Sequence, residues 1–228
     1  CFIKLLNVWS IWYNNIMNGL LIVFEGPDGS GKTTVLEKVY NKLLEDGYDI
    51  YKFREPGGTD ISEKIREIIL DNENIEMNPR CEALLYAASR AQLVGEKLRP
   101  LLEKGSIILC DRFVLSSMLY QGIGRGLGVD EVKNINDFAI GEIRADLTLF
   151  LNIDYKTAID RKRKNFISDR LENEDDSFHK KTYDGYIELS KRFKDEIISI
   201  DANKSIDTVV DNCLATIKTY LKEKKWNF

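Results

Sequence analysis

Residues 20–40 constrain the fold more than any other stretch. Leu20-Leu21-Ile22-Val23-Phe24 is a continuous apolar run, Gly26-Pro27-Asp28-Gly29-Ser30-Gly31-Lys32-Thr33 follows, and Thr34-Val35-Leu36-Glu37-Lys38-Val39-Tyr40 has the pattern of a helix. A short apolar run bounded by glycines reads as a strand buried on both faces. The octapeptide has the spacing Gly, four residues, Gly, Lys, then Ser or Thr, in the required context of strand, glycine turn and helix. Such a loop closes backbone N–H groups around phosphate oxygens, and the helix N-terminus adds partial positive charge. Lys32 is placed to reach β- and γ-phosphates, and the Thr33 hydroxyl to ligate magnesium. Residues 26–34, from Gly26 through Thr34, are therefore the candidate site for a nucleoside triphosphate. The loop does not specify the reaction.

Strand and helix patterns alternate along the rest of the chain. Strands are expected at 20–25, 48–53, 106–110, 147–153 and 196–200. Helices are expected at 32–46, 60–71, 79–103, 114–121, 130–142, 155–164, 177–194 and 205–223. A glycine-rich stretch at 122–128 separates two of the helices, and a polar, charged loop spans 164–176. Alternation with continuous apolar strands predicts an α/β fold, a three-layer sandwich with a five-stranded parallel sheet and a short lid. No internal repeat or Pro/Gly-rich linker divides it, so one domain over 18–228 is expected, with the lid near 161–172. Residues 1–17 are expected to form an N-terminal extension outside this core, with an added surface helix or a dimer contact as the alternative for 1–16, and truncation of 1–16 is expected to leave activity intact.

With 228 residues, 43% hydrophobic and 31% charged, the chain has the make-up of a soluble globular domain. Its 33 basic and 37 acidic side chains give a net charge of −4, which leaves no footprint for nonspecific nucleic-acid binding. The first 16 residues are interrupted by Lys4, Asn7, Ser10, Asn14 and Asn15, a poor signal peptide and too short to span a membrane. Neither nucleic acid nor membrane is an expected partner. Cys1, Cys81, Cys110 and Cys213 are too widely spaced for a metal site and read as buried free thiols of a cytoplasmic protein.

A second half of the nucleotide site follows from Ile107-Ile108-Leu109-Cys110-Asp111. An apolar strand ending in Asp puts a carboxylate at the C-terminal edge of the sheet, where such folds bind ligands. Asp111 is there a candidate magnesium partner beside Thr33. Arg112 follows at once, so a phosphate fork accompanies the metal partner. Arg54 ends the second strand, and Arg66 and Arg90 lie in the next helical patterns.

These residues fall into four motifs. They are Phe24 through Thr34, Arg54-Glu55-Pro56-Gly57-Gly58-Thr59, Tyr86-Ala87-Ala88-Ser89-Arg90, and Asp111-Arg112-Phe113 followed by Ser116-Ser117 and Tyr120-Gln121-Gly122. In order and spacing the chain closely resembles the thymidylate kinase family, bacterial type, from about residue 20 to 220. The resemblance implies transfer of the γ-phosphoryl group of ATP to dTMP, giving dTDP and ADP for dTTP synthesis, with Mg2+ as cofactor and a homodimer as the assembly. It assigns the acceptor phosphate to Arg112 and Arg66, and the sugar 3′-OH to Asp28. Glu55, Tyr86, Arg90, Ser116, Ser117, Tyr120 and Gln121 complete the dTMP site. Tyr86 holds the base-stacking position, usually Phe, and Tyr120 crowds the sugar 2′ position. Arg90 would donate to thymine O4, where cytosine presents a donor instead, a mismatch worth on the order of 10²-fold.

Some members of this family carry a catalytic arginine inside the phosphate loop, where this chain has Gly29. Others supply it from the lid. Arg161, Arg163 and Arg170 flank the lid region, and Arg163 and Arg170 are the expected catalytic lid cations, alongside Lys32 and Arg112. Two rivals stand. Another nucleoside monophosphate or deoxynucleoside kinase would share loop and lid, and a nucleotide-driven switch would need only the loop. The Arg54–Thr59 and Tyr120-Gln121 motifs argue against the first, and the arginine set against the second.

Overall fold

The computed structural model describes residues 18–162 and 169–224. β1 (Leu20–Glu25) is buried along its whole length, and this decides the architecture. It pairs in parallel with β3 (Ile107–Asp111) on one side and β4 (Leu147–Asn152) on the other. β2 (Ile50–Arg54) and β5 (Ile197–Asp201) close the edges, giving the order β2-β3-β1-β4-β5 with every pairing parallel.

A strand at the centre of such a sheet must find apolar cover on both faces. Ile22, Leu109 and Leu149 share one core with Val35, Val39 and Leu43 of α1 (Lys32–Glu45), and with Val210 and Ile217 near the C-terminus. Leu21, Val23 and Ile108 face the other way, against Leu93, Leu98 and Phe113. The further helices in chain order begin with α2 (Asp60–Leu70), α3 (Pro79–Leu93), α4 (Arg99–Glu103) and α5 (Val114–Ser117). Then come α6 (Val129–Ile140), α7 (Tyr155–Lys162), α8 (Asp176–Arg192) and α9 (Ile206–Glu223). Thr59, Asn78, Asp175 and Ser205 cap α2, α3, α8 and α9 by accepting backbone N–H bonds, the chemistry that starts helices there.

The five strands and the expected helices are all present among the described residues, most with shifts of one or two residues at their ends, and positions 163 and 164 of the expected 155–164 helix lie outside the described residues. Two helices differ in kind. The stretch 79–103 is helical throughout but widens to a π turn at Val94–Leu98, just before Pro100, which has no N–H to give the preceding turn. The glycine-rich 122–128 stretch separates two helices as expected only in its second half, 125–128, before α6. A π segment, Met118–Gly124, carries the helical path through Gly122 and Gly124. A glycine costs a helix only about 1 kcal/mol. Here Gly122 also lets Gly128 and Val129 approach, since a Cβ would lie 3.2 Å from the Gly128 carbonyl oxygen. Cys110 and Cys213 are buried, whereas Cys81 is exposed on α3 and departs from the buried-thiol expectation.

Parallel strands put all their C-terminal ends at one edge. Phe24 pairs with Asp111, and Arg54 with Asp111 from the other side, so the phosphate loop, Asp111 and the Arg54 motif converge. The Arg112 N–H donates to the Phe24 carbonyl at 3.0 Å, tying the fourth motif to the first.

Candidate active site

The loop after β1 turns through Gly26, Gly29 and Gly31, all at positive φ. Gly29 is the most constrained of them. At φ +82 an added Cβ would sit 2.3 Å from the Ala158 carbonyl oxygen of α7. No side chain fits there, so this loop cannot carry an arginine of its own. Lys32 lies buried inside the turn and donates from Nζ to the carbonyls of Gly26 at 2.8 Å and Pro27 at 3.1 Å. Burial, with the Arg112 cation beside it, lowers its pKa to about 8. Thr33 Oγ1 donates to Asp111 Oδ2 at 2.7 Å, so the hydroxyl and carboxylate expected to meet a metal are already adjacent. Ser30 Oγ is buried with no hydrogen-bond partner among the described residues. Thr34 is exposed at the start of α1.

A cavity of about 290 Å³ opens beside the loop. Its wall includes Asp28, Lys32, Thr33, Asp111 and Arg112 at the phosphate end, and Arg54, Glu55 and Arg66 along one side. Tyr86, Arg90, Ser116, Ser117, Tyr120 and Gln121 line the rest. Ten positions expected for the acceptor site are thus brought together around one space.

Arg112 stands at its centre. It is the one non-glycine residue at positive φ, 69°, among the described residues. Its guanidinium pairs with Asp28, donates to Tyr186 Oη at 3.0 Å and Ser116 Oγ at 3.2 Å, and lies 5.3 Å from the Tyr120 ring centroid. Tyr120 Oη donates to the other Asp28 oxygen at 3.3 Å. Behind this cluster, Glu25 is fully buried. Its Oε1 accepts the N–H of Phe113 at 2.9 Å and of Ser116 at 3.2 Å, and its Oε2 accepts the hydroxyls of Ser116 at 2.7 Å and Tyr186 at 3.2 Å. Ser116 therefore serves Arg112's position as well as lining the cavity. Arg54 and Arg66 both donate to the Pro56 carbonyl, at 2.7 and 3.0 Å. Burial and the nearby Arg54 cation lower the Arg66 pKa.

Arg90 is buried with all its donors engaged. Nε donates to Glu55 Oε2 at 2.6 Å, Nη1 to Ser117 Oγ at 3.0 Å and to Asn136, and Nη2 to the Phe113 carbonyl at 3.1 Å, with Glu55 Oε2 at 2.5 Å. Burial pushes the Glu55 carboxyl up to about 7, against the pull of Arg90. The guanidinium edge thus reaches the cavity through Ser117, whose hydroxyl accepts from Arg90 and keeps its own proton to donate.

The lid cations divide. Arg163 lies outside the described residues. Arg170 is buried against α2 and α3, donating to the Ile69 carbonyl at 2.9 Å and to Glu82 Oε2 at 2.6 Å. It does not stand at the phosphate loop as a lid cation would. Arg161 donates to the Ala202 carbonyl at 3.4 Å, away from the cavity.

Glu25, Glu82, Asn136 and Tyr186 were not legible as site residues, though two of them left a trace. Glu82, Tyr86 and Arg90 follow one another at intervals of four on α3 and so share a face. Glu25 is an acid ending an otherwise apolar strand. Asn136 and Tyr186 come from distant helices with no local signal. Among the described residues no group of three or more His, Cys, Asp or Glu side chains gathers as a metal site, and no helix is long and apolar enough to cross a membrane.

A phosphate loop, an acidic strand end and an arginine-lined acceptor cavity, together at the C-terminal edge of a parallel sheet, define a P-loop nucleotide kinase. The family model for thymidylate kinase matches residues 24–213. A thymidylate kinase from Finegoldia magna is 51% identical over 199 residues, covering 87% of this chain and 98% of that one. One from Oceanobacillus iheyensis is 47% identical over 211 residues, covering 92% and 94%. A crystal structure of thymidylate kinase from Ehrlichia chaffeensis superposes with a TM-score of 0.71 at 25% identity, over 88% of this chain and 98% of that one. The chain belongs to the thymidylate kinase family.

Proposed function

We propose that this chain transfers the γ-phosphoryl group of ATP to dTMP, yielding dTDP and ADP, with the acceptor seated in the arginine-lined cavity. The observation that carries this reading is the convergence of Lys32, Arg112 and the Thr33–Asp111 pair at one end of that cavity. Phosphoryl transfer is catalysed mainly by positioning and charge neutralisation. The loop amides and Lys32 hold the donor phosphates. Arg112 and Arg66 hold the acceptor phosphate against the repulsion of the donor. A hydroxyl and a carboxylate in contact are hard oxygen donors that suit magnesium, which binds through few protein ligands plus phosphates. Thr33 and Asp111 would hold it, and when bound it neutralises charge on the phosphate oxygens.

Tyr86 offers a ring face to the pyrimidine, and Tyr120 and Asp28 meet the sugar. Ser117, with its oxygen on Arg90, donates toward thymine O4. Arg90 thus acts on O4 through Ser117 rather than by a spare donor of its own. With Gly29 closed to any side chain and Arg161 and Arg170 engaged elsewhere, the cation for the transferring phosphoryl is Arg163. The chain works in the cytoplasm as a homodimer. Ile61 and Ile68 of α2, Leu84 of α3 and Phe138 of α6 are exposed, Phe138 at 93%, on helices where α3 packs against both α2 and α6.

The direct test follows label. With γ-labelled ATP, magnesium and dTMP, radioactivity is expected in dTDP. Label appearing as inorganic phosphate at a rate indifferent to dTMP would overturn the assignment in favour of a nucleotide-driven switch.

A further inference from the structure

Glu82 is fully buried on α3. Its Oε1 accepts from Gln121 Nε2 at 2.9 Å and from Arg125 Nε at 3.3 Å. Its Oε2 accepts from Arg125 Nη2 at 3.0 Å and Arg170 Nη2 at 2.6 Å. Two guanidinium groups on one carboxylate keep it ionised, and an ionised carboxylate only accepts hydrogen bonds. The amide of Gln121 has two distinguishable ends, and only its NH2 end can face such a partner. The reverse orientation would set oxygen against oxygen in a buried site, which is strongly unfavourable. The Gln121 carbonyl oxygen, which has no hydrogen-bond partner among the described residues, is therefore the end left for the cavity that Gln121 lines.

We infer that Glu82 is a positioning residue for base selection: by fixing the Gln121 amide it presents an acceptor to the pyrimidine edge. Thymine offers an N3–H donor at the centre of that edge, and cytosine offers an acceptor nitrogen. The inference rests on the assignment of this cavity to the base of dTMP.

The Glu82→Gln variant reverses the logic with almost no change in shape. Arg170 and the Nη2 of Arg125 claim the one remaining oxygen, at the Oε2 position, and Arg125 gives up only its longer 3.3 Å bond from Nε. The new NH2 then faces Gln121, whose amide flips and turns its own NH2 toward the base, where it suits cytosine. The measurement is kcat/KM for dTMP and for dCMP in the wild-type chain, Glu82→Gln, Glu82→Asp and Gln121→Leu. In Glu82→Gln the dTMP:dCMP ratio is expected to fall by about tenfold or more. Glu82→Asp keeps an acceptor-only carboxylate and is expected to hold the ratio within about threefold. Gln121→Leu removes the amide without disturbing the two arginines and is also expected to lose about tenfold of the ratio.

A merely structural Glu82 would lower both substrates together and leave the ratio unchanged in Glu82→Gln, which overturns the proposal. If Gln121→Leu loses the ratio while Glu82→Gln keeps it, the cavity remains the base pocket and the role of Glu82 falls. If Gln121→Leu itself leaves the ratio unchanged, the base-pocket assignment falls too, whether or not either Glu82 variant folds.

Discussion

Glu25→Gln is the sharpest probe of how the site is braced. The substitution keeps size and shape and removes only the charge and one acceptor. In the native chain two backbone N–H groups bond to Oε1 and two hydroxyls to Oε2. The amide oxygen of glutamine takes the two backbone donors. Its NH2 then faces the hydroxyls of Ser116 and Tyr186, which already accept from Arg112 at 3.2 and 3.0 Å. Both hydroxyls lose Glu25 as the acceptor for their protons, and the one bond left to them, between Ser116 and Tyr186 at 3.5 Å, is long and uses only one of those protons. Two lost bonds at about 1 kcal/mol each, plus weaker bonds to the backbone donors, come to about 3 kcal/mol. The lower desolvation cost of a neutral side chain offsets part of this, leaving about 2 kcal/mol. For a chain of this size that is a Tm lower by roughly 4–8 °C. Because the hydroxyls that slip are those that hold Arg112, kcat/KM for dTMP falls by about tenfold as well. Thermal unfolding and steady-state kinetics on the same sample decide it. A Tm within 1 °C of wild type (roughly the scatter of the assay, against the size scaling above) with unchanged kcat/KM would refute the bracing role.

Three further outcomes follow. Lys32→Ala lowers kcat by about 10² or more while leaving dTMP affinity, measured by calorimetry without ATP, within about twofold; weakened dTMP binding would contradict the division between donor and acceptor ends. The Lys32 pKa of about 8 gives a pH signature. Only protonated Lys32 supports the donor phosphates, so the Kd for ATP is flat below pH 8 and rises above it, toward tenfold per pH unit. Lys32→Arg, which does not titrate in this range, loses that inflection, and an ATP Kd flat to pH 9.5 in the wild type (well past that pKa) would contradict the account. The same depressed pKa makes the nucleotide-free chain gain stability as pH rises above about 8, since the unfolded chain still holds the proton there. Finally, Gly29→Ala and Gly31→Ala pay the same left-handed backbone cost, about 1–2 kcal/mol. Only Gly29 meets α7, so its Tm must fall further; equal losses would show that the Ala158 contact yields freely.

The sheet and the donor site were legible because their signals are local. A glycine turn between an apolar run and a helix needs no distant partner to be recognised, and Asp111 is marked by the strand it ends. The acceptor side was legible as a set of residues but not as a network. Arg90 reads from the sequence as a donor with capacity to spare, and its commitment to Glu55, Ser117, Asn136 and Phe113 depends on elements 23 to 46 residues away. Arg170 shows the same limit. Its place near the lid suggested a phosphate contact, but a buried carboxylate 88 residues earlier holds it. The bracing acids, Glu25 and Glu82, carry no motif because their work is to satisfy donors that only the folded chain assembles. The π segments were missed for a different reason, since helical periodicity does not distinguish them from an α-helix.

The most direct measurement is ADP release from Mg-ATP with dTMP, dUMP, dCMP, dGMP, AMP, CMP, UMP and GMP supplied one at a time. The account predicts strong turnover with dTMP, weaker turnover with dUMP, which shares its N3–H and O4, and little with dCMP or any ribonucleotide. Equal turnover with dCMP and dTMP would contradict the reading of the cavity as a thymine-selective acceptor site.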